Sequence, residues 1–158
     1  MGKKILVLCT GNSCRSQIAE GYLRYFIAEN NNANTNEIAK KNDAEVYSAG
    51  IETHGVNPKA IATMCEDGID ISQHTSNHID EYQAIAFDFV ITVCDNAREN
   101  CPFFPTTAQL FHFNFPDPAK FTGSESEVAV EFARVRDLIK VYCKEFCAFL
   151  GIRQETYS

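Results

Sequence analysis

The stretch that decides the fold reads Lys3-Lys4-Ile5-Leu6-Val7-Leu8-Cys9-Thr10-Gly11-Asn12-Ser13-Cys14-Arg15-Ser16. Lys3 to Leu8 carries an unbroken aliphatic run, which suits a parallel strand buried on both faces. Ser16 to Glu29 follows with Ile18, Ala19, Tyr22, Leu23 and Phe26 on one helical face. A Cys-x5-Arg-Ser loop therefore joins a strand to a helix. Ligands of open α/β sheets bind beyond the carboxyl ends of the strands. The helix that follows aims free N–H groups and the positive end of its dipole at the same place. Gly11 and Asn12 are expected to take the left-handed backbone that so tight a loop requires. Backbone N–H groups of Thr10, Gly11, Asn12, Ser13, Cys14 and Arg15 would then form a concave nest for a tetrahedral oxyanion. Arg15 would clamp two of its oxygens with a guanidinium fork. Cys9 lies at the base of the nest as a candidate nucleophile. Dipole, N–H groups and Arg15 all favour its thiolate and would draw the thiol from near ~8.5 into the ~3.5–7.5 range. Ser16 is placed to donate to the sulfur, and the Cys14 side chain is expected to pack.

Outward from this loop, strand and helix signals alternate. Glu45 to Ser48 reads as a second strand, closed by Ala49-Gly50. Asn57-Pro58 opens a helix, with Asn as N-cap and Pro in the first helical position. That helix carries Ala60, Ile61, Met64 and Cys65 as its apolar side and stops at Gly68. Phe87 to Val93 is a third strand, and Gln109 to Phe115 a weaker fourth. Ser124 to Leu150 is a long amphipathic helix with Val128, Phe132, Val135, Ile139, Tyr142, Phe146 and Leu150 in one stripe. The pattern predicts a single α/β domain over residues 1–158, a four-stranded parallel sheet with helices on both faces. Glu29 to Asp43, with six asparagines, reads as a loop or frayed helix end and as a surface insertion.

Composition narrows the function classes. The chain has 158 residues, 45% hydrophobic and 22% charged, a balance that folds without disulfide staples. A net charge of −7 argues against nucleic acid or an anionic membrane as partner. No apolar run approaches the ~20 residues of a membrane span. The aliphatic run Ile5 to Leu8 is too short for a signal peptide. Seven cysteines, an odd number, point to reduced thiols and a cytoplasmic location, with some of them chemically active.

A second cysteine pair stands in Val93-Cys94-Asp95-Asn96-Ala97-Arg98-Glu99-Asn100-Cys101-Pro102. Cys94 follows its strand, so in a parallel sheet it shares an edge with Cys9. Were Asp95 to Asn100 helical, the two thiols would lie about 10 Å apart along the axis. A disulfide needs Cα atoms within about 7 Å. The spacing therefore predicts that this segment unwinds on oxidation.

The Cys9 to Ser16 loop resembles that of the low-molecular-weight protein tyrosine phosphatase fold family. The fuller string Cys9 to Gly21 is most similar to the thioredoxin-coupled arsenate reductases on that fold. Val46 to Glu52, Gly68 to Ser72 and Phe132 to Asp137 extend the similarity over nearly the whole chain. The resemblance implies that Cys94 is the first resolving thiol and Cys101 the last. It implies reduction of arsenate to arsenite through Cys9, Cys94 and Cys101, with thioredoxin as reductant and no tightly bound cofactor. Phosphate or sulfate would occupy the same loop as arsenate. Asp117, in Asp117-Pro118, resembles the general acid that protonates the leaving oxygen. The alternative is a phosphatase hydrolysing phosphomonoesters through a Cys9 phosphoenzyme. Ala119 weighs against it, because phosphatases on this fold carry aromatic residues after the Asp-Pro. Some reductases bind potassium near the loop asparagine, here Asn12. A monomer is expected. Cys143 and Cys147, four apart on one helix, are assigned to packing. His74 and His78, also four apart, lie in a polar Ser/Thr-rich stretch and are not assigned to zinc.

Overall fold

The computed structural model describes residues 2–33, 44–95, 104 and 106–156. Four strands, β1 (Lys4–Leu8), β2 (Glu45–Ala49), β3 (Phe89–Thr92) and β4 (Gln109–His112), form one parallel sheet in the order β2-β1-β3-β4. Ile5 pairs with Val46 on one side and Phe89 on the other, so β1 is central and flanked on both edges. This is why its aliphatic run is unbroken: Ile5, Leu6, Val7 and Leu8 are all fully buried.

Alternate side chains divide the core into two layers. Ile5, Val7, Val46, Phe89 and Ile91 face the α-helices α1 (Arg15–Ala33), α2 (Pro58–Glu66) and α3 (Glu125–Thr156). α1 contributes Ile18, Ala19, Tyr22, Leu23 and Ile27, and α3 contributes Val128, Phe132, Val135, Ile139, Phe146 and Leu150. Tyr142 in the α3 stripe and Phe26 in the α1 stripe are only partly buried. At about 1.5–3 kcal/mol per large buried side chain, this layer is the main source of stability. Leu6, Leu8 and Val90 face the other way, against Ile79, Phe87 and Phe104. Among the described residues, that second face is covered by the short 3-10 helix Ile79–Tyr82 and the chain after it, while all three α-helices share the first.

Local signals hold at the helix starts. The Asn57 side chain accepts from Lys59 N–H at 2.8 Å, with Pro58 in the first turn. Ser124 and Glu127 form a reciprocal cap on α3, each side chain accepting the other's backbone N–H at 3.2 Å. One reading needs correction and one is refined. The segment 29–43 begins as the end of α1, which continues to Ala33; residues 34–43 lie outside the described residues. Cys65 does not belong to the apolar side of α2, since it is an exposed free thiol.

Candidate active site

The loop from Cys9 to Ser16 sits where β1 ends and α1 begins. Cys9 is buried, and its Sγ lies 2.9 Å from Ser16 Oγ. Asn12 has φ 45°, the left-handed conformation expected of it. Gly11 is a glycine for a different reason from the one expected. It does not have a positive φ; instead, a Cβ on it would lie 2.7 Å from the His54 ring.

The segment after β2 straps the loop from outside. Glu52 N–H donates to Thr10 O at 3.0 Å, His54 N–H to Gly11 O at 3.3 Å, and Asn57 N–H to Ser13 O at 2.9 Å. Gln17 Nε2 donates to Asn12 O at 3.1 Å. The C=O and N–H of a trans peptide point in opposite directions. Tying these four carbonyls outward therefore turns the N–H groups of Gly11, Asn12, Ser13 and Cys14 toward the hollow. Gly50 lets the strap come this close: a Cβ there would meet Thr10 O at 2.6 Å, Asn12 N at 2.8 Å and Cys9 O at 2.9 Å. Neither Gly50 nor the strap was assigned a role from sequence. The strand-ending Ser48-Ala49-Gly50 was the available signal.

Beneath the loop, a chain of hydrogen bonds has a fixed polarity. Asn77 N–H donates to Asn12 Oδ1 at 2.7 Å, which sets the amide orientation. Asn12 Nδ2 then donates to Ser16 Oγ at 2.8 Å and Ser48 Oγ at 3.0 Å. Ser48 donates to Glu20 Oε1 at 2.7 Å, and a carboxylate can only accept. The Ser16 oxygen accepts from Asn12 and lies 2.9 Å from Cys9 Sγ, so its hydroxyl proton is placed to reach the sulfur. Sequence had placed Ser16 there but had not found Ser48, Glu20 or Asn77.

Arg15 is buried, with Nη1 donating to Phe115 O at 3.1 Å and Nη2 lying 3.6 Å from Asp117 Oδ2. Asp117 also caps the 3-10 helix Pro118–Lys120, its Oδ1 accepting from Ala119 N–H at 3.0 Å. The loop after β4 thus brings Asp117 to the cradle. Cys14 is buried, and its thiol pKa is pushed well up, chiefly by burial and then by the Asp117 and Cys9 charges against the opposing Arg15. Burial therefore disfavours its thiolate, and its backbone is what serves the loop.

Cys94 stands two residues beyond β3, next to β1, where Val93 N–H donates to Leu8 O at 3.0 Å. The sheet therefore puts Cys9 and Cys94 at the ends of neighbouring strands. Cys94 is disulfide-bonded, while Cys9, Cys14, Cys65, Cys143 and Cys147 are free. Cys101, and the 96–100 part of the predicted unwinding segment, lie outside the described residues. Cys143 and Cys147 pack α3 on α1, with sulfurs 3.7 Å from Ala19 O and 3.9 Å from Leu23 O. Burial raises both thiol pKa values, that of Cys147 to about 12.

Among the described residues, no group of three or more His, Cys, Asp or Glu side chains is placed to hold a metal ion. His78 caps the 3-10 helix Ile79–Tyr82, accepting from Asp80 N–H at 3.1 Å. The potassium expectation at Asn12 meets a group already satisfied by the protein's own donors. Asn12 Oδ1 is taken by Asn77, and Glu20 Oε1 by Ser48. Glu20 Oε2 faces Arg24 Nε at 3.2 Å and His74 Nδ1 at 3.3 Å. A guanidinium beside the carboxylate repels a further cation, so these residues do not fit a potassium ion.

Comparison with known proteins agrees with this geometry. A curated arsenate reductase of Staphylococcus aureus (strain Newman) is 47% identical over 91% of this chain and 95% of its own length. One from Halalkalibacterium halodurans is 44% identical over 92% of this chain and 96% of its own. A solved arsenate reductase in the phosphate-binding state superposes with TM-score 0.70 at 34% identity, covering 92% of this chain and 97% of that one. The family description "Low molecular weight phosphotyrosine protein phosphatase" matches residues 4–155, nearly the whole chain, and the chain belongs to that family.

Proposed function

We propose that this protein is an arsenate reductase working by a three-cysteine relay, Cys9 to Cys94 to Cys101. The observation that carries the reading is the placement of Cys94, already disulfide-bonded, beside the Cys9 anion loop at the same sheet edge. A phosphatase has no use for a redox-active sulfur there. The reductase relatives and the phosphate-bound neighbour support the same oxyanion loop.

In the first step the Cys9 thiolate attacks the arsenic of arsenate held by the loop N–H groups and Arg15. A hydroxide leaves and takes a proton from Asp117 as water, giving a Cys9–arsenic adduct. Cys94 thiolate then attacks Cys9 Sγ. The sulfur–arsenic bond breaks with its electron pair on arsenic, arsenite departs, and a Cys9–Cys94 disulfide remains. Cys101 thiolate attacks Cys94, frees Cys9 as thiolate and leaves a Cys94–Cys101 disulfide. An external dithiol, thioredoxin in this reading, returns that pair to thiols.

The test is arsenate-dependent NADPH oxidation with thioredoxin and thioredoxin reductase. Wild type should turn over, and Cys94→Ser and Cys101→Ser should not. Cys101→Ser should stop after one turnover with Cys9 and Cys94 linked. Sustained turnover by Cys101→Ser would overturn the relay. Cys9, Arg15 and Asp117 are also the parts that phosphomonoester hydrolysis uses, so slow cleavage of an aryl phosphate, insensitive to Cys94→Ser, is expected beside it. Aryl phosphate turnover with no arsenate turnover would favour the phosphatase alternative.

A further inference from the structure

A pocket of about 320 Å³ opens behind the anion loop, lined by Glu20, Arg24, Tyr47, His74, Asn77 and Tyr82 among others. It is the outer end of the hydrogen-bond chain that stops at Cys9. Glu20 is 8% exposed, and its Oε1 accepts the Ser48 hydroxyl at the far end of that chain. A carboxylate so buried needs a permanent partner, or it takes up a proton or draws in a cation.

We propose that Arg24 is a positioning residue for the anion loop: its guanidinium is the built-in counter-charge of Glu20, which makes an alkali cation unnecessary in this chain. Arg24 is anchored for the purpose. Its Nε lies 3.2 Å from Glu20 Oε2, while its Nη2 donates to Val46 O on β2 at 2.6 Å. His74 Nδ1 faces the same oxygen at 3.3 Å and Gln17 Oε1 at 3.1 Å. Burial pushes the His74 pKa down, Glu20 pulls it up and the Arg24 charge pushes it down again, whereas the Arg24 guanidinium carries a fixed charge. With Arg24 neutralised, the buried Glu20 carboxylate loses its fixed counter-charge, and the Ser48–Asn12–Ser16 cluster that it holds beneath Cys9 loosens.

The inference rests on the loop itself, whichever oxyanion is turned over, and its test uses no turnover. Full-length reduced protein is compared as wild type, Arg24→Lys and Arg24→Gln, in potassium chloride and in choline chloride at equal ionic strength. Two quantities are read: the melting temperature, and the pH midpoint of Cys9 alkylation by iodoacetamide, located by peptide mass. Wild type and Arg24→Lys should be the same in both salts. In choline, Arg24→Gln should melt about 4 °C or more lower and alkylate with a midpoint about half a pH unit higher. Potassium should reverse part of both changes. A potassium-specific rise in the wild-type melting temperature would overturn the proposal. So would an Arg24→Gln variant that melts lower yet keeps the wild-type Cys9 midpoint, because Arg24 would then be merely structural. Should Arg24→Gln not fold, the wild-type salt comparison and the Arg24→Lys midpoint still decide. Loss of arsenate turnover with these results intact would count against the reductase reading alone.

Discussion

At the scale of single residues, the loop is shaped by what its neighbours exclude. Gly11 is held to a hydrogen because the His54 ring occupies the space of a Cβ, at 2.7 Å. Gly11→Ala should therefore cut kcat/KM for arsenate by about tenfold or more, since small displacements of a positioning loop are costly. His54→Ala should restore most of it in the double variant, a coupling that a mutant cycle on kcat/KM would measure. Additive losses would mean that Gly11 serves some other need. The contact was illegible in the sequence: residues 11 and 54 are far apart in the chain, and glycine in a tight loop ordinarily signals a positive φ. Asn12, by contrast, was legible, because asparagine is among the few side chains that tolerate the left-handed region.

At the scale of elements, α1, α2 and α3 are pinned by a polar knot as well as by apolar packing. Tyr22 Oη donates to Asp67 Oδ2 at 2.7 Å, and Lys140 Nζ meets the same oxygen at 2.8 Å. The Lys140 bond first, then the Tyr22 hydroxyl, holds the Asp67 carboxyl below its ordinary pKa. A carboxyl depressed in the folded state adds stability above its unfolded pKa and loses it as pH falls through the folded one. Asp67→Asn should cost about 1 kcal/mol at pH 7, a modest figure because the group is partly solvated. The difference from wild type should close as pH drops through ~4 and below, as urea unfolding at pH 7 and pH 3 would show. An unchanged difference at pH 3 would assign the loss to packing. The ends of α2 were plain in Asn57-Pro58 and Gly68, whereas Asp67 as the link to α1 and α3 was not, because only packing brings the three helices together.

At the scale of the whole molecule, the parallel sheet decides which cysteines can meet. β1 and β3 are adjacent, so the chain turns that follow them carry Cys9 and Cys94 to one edge. Under the proposed relay, oxidation of the Cys94–Cys101 pair should reorganise segment 95–100 and leave the sheet unchanged. Amide hydrogen exchange should therefore rise there on oxidation, with protection in β1 and β3 constant; matching exchange in both redox states would refute the unwinding. The sequence by itself determined the strand–loop–helix unit, because unbroken aliphatic, loop and 3.6-residue patterns are local properties. It also determined Cys9, Arg15 and Asn12 as loop residues. Tertiary structure alone decided the strap of residues 52–57, the close approach of Gly50, the meeting of His74 with Glu20 and that of Arg15 with Asp117. Each of these depends on elements distant in the chain coming within 2.6–3.6 Å. Such contacts are set by how β2, α1 and the loop after β4 pack around β1, and no local pattern encodes that.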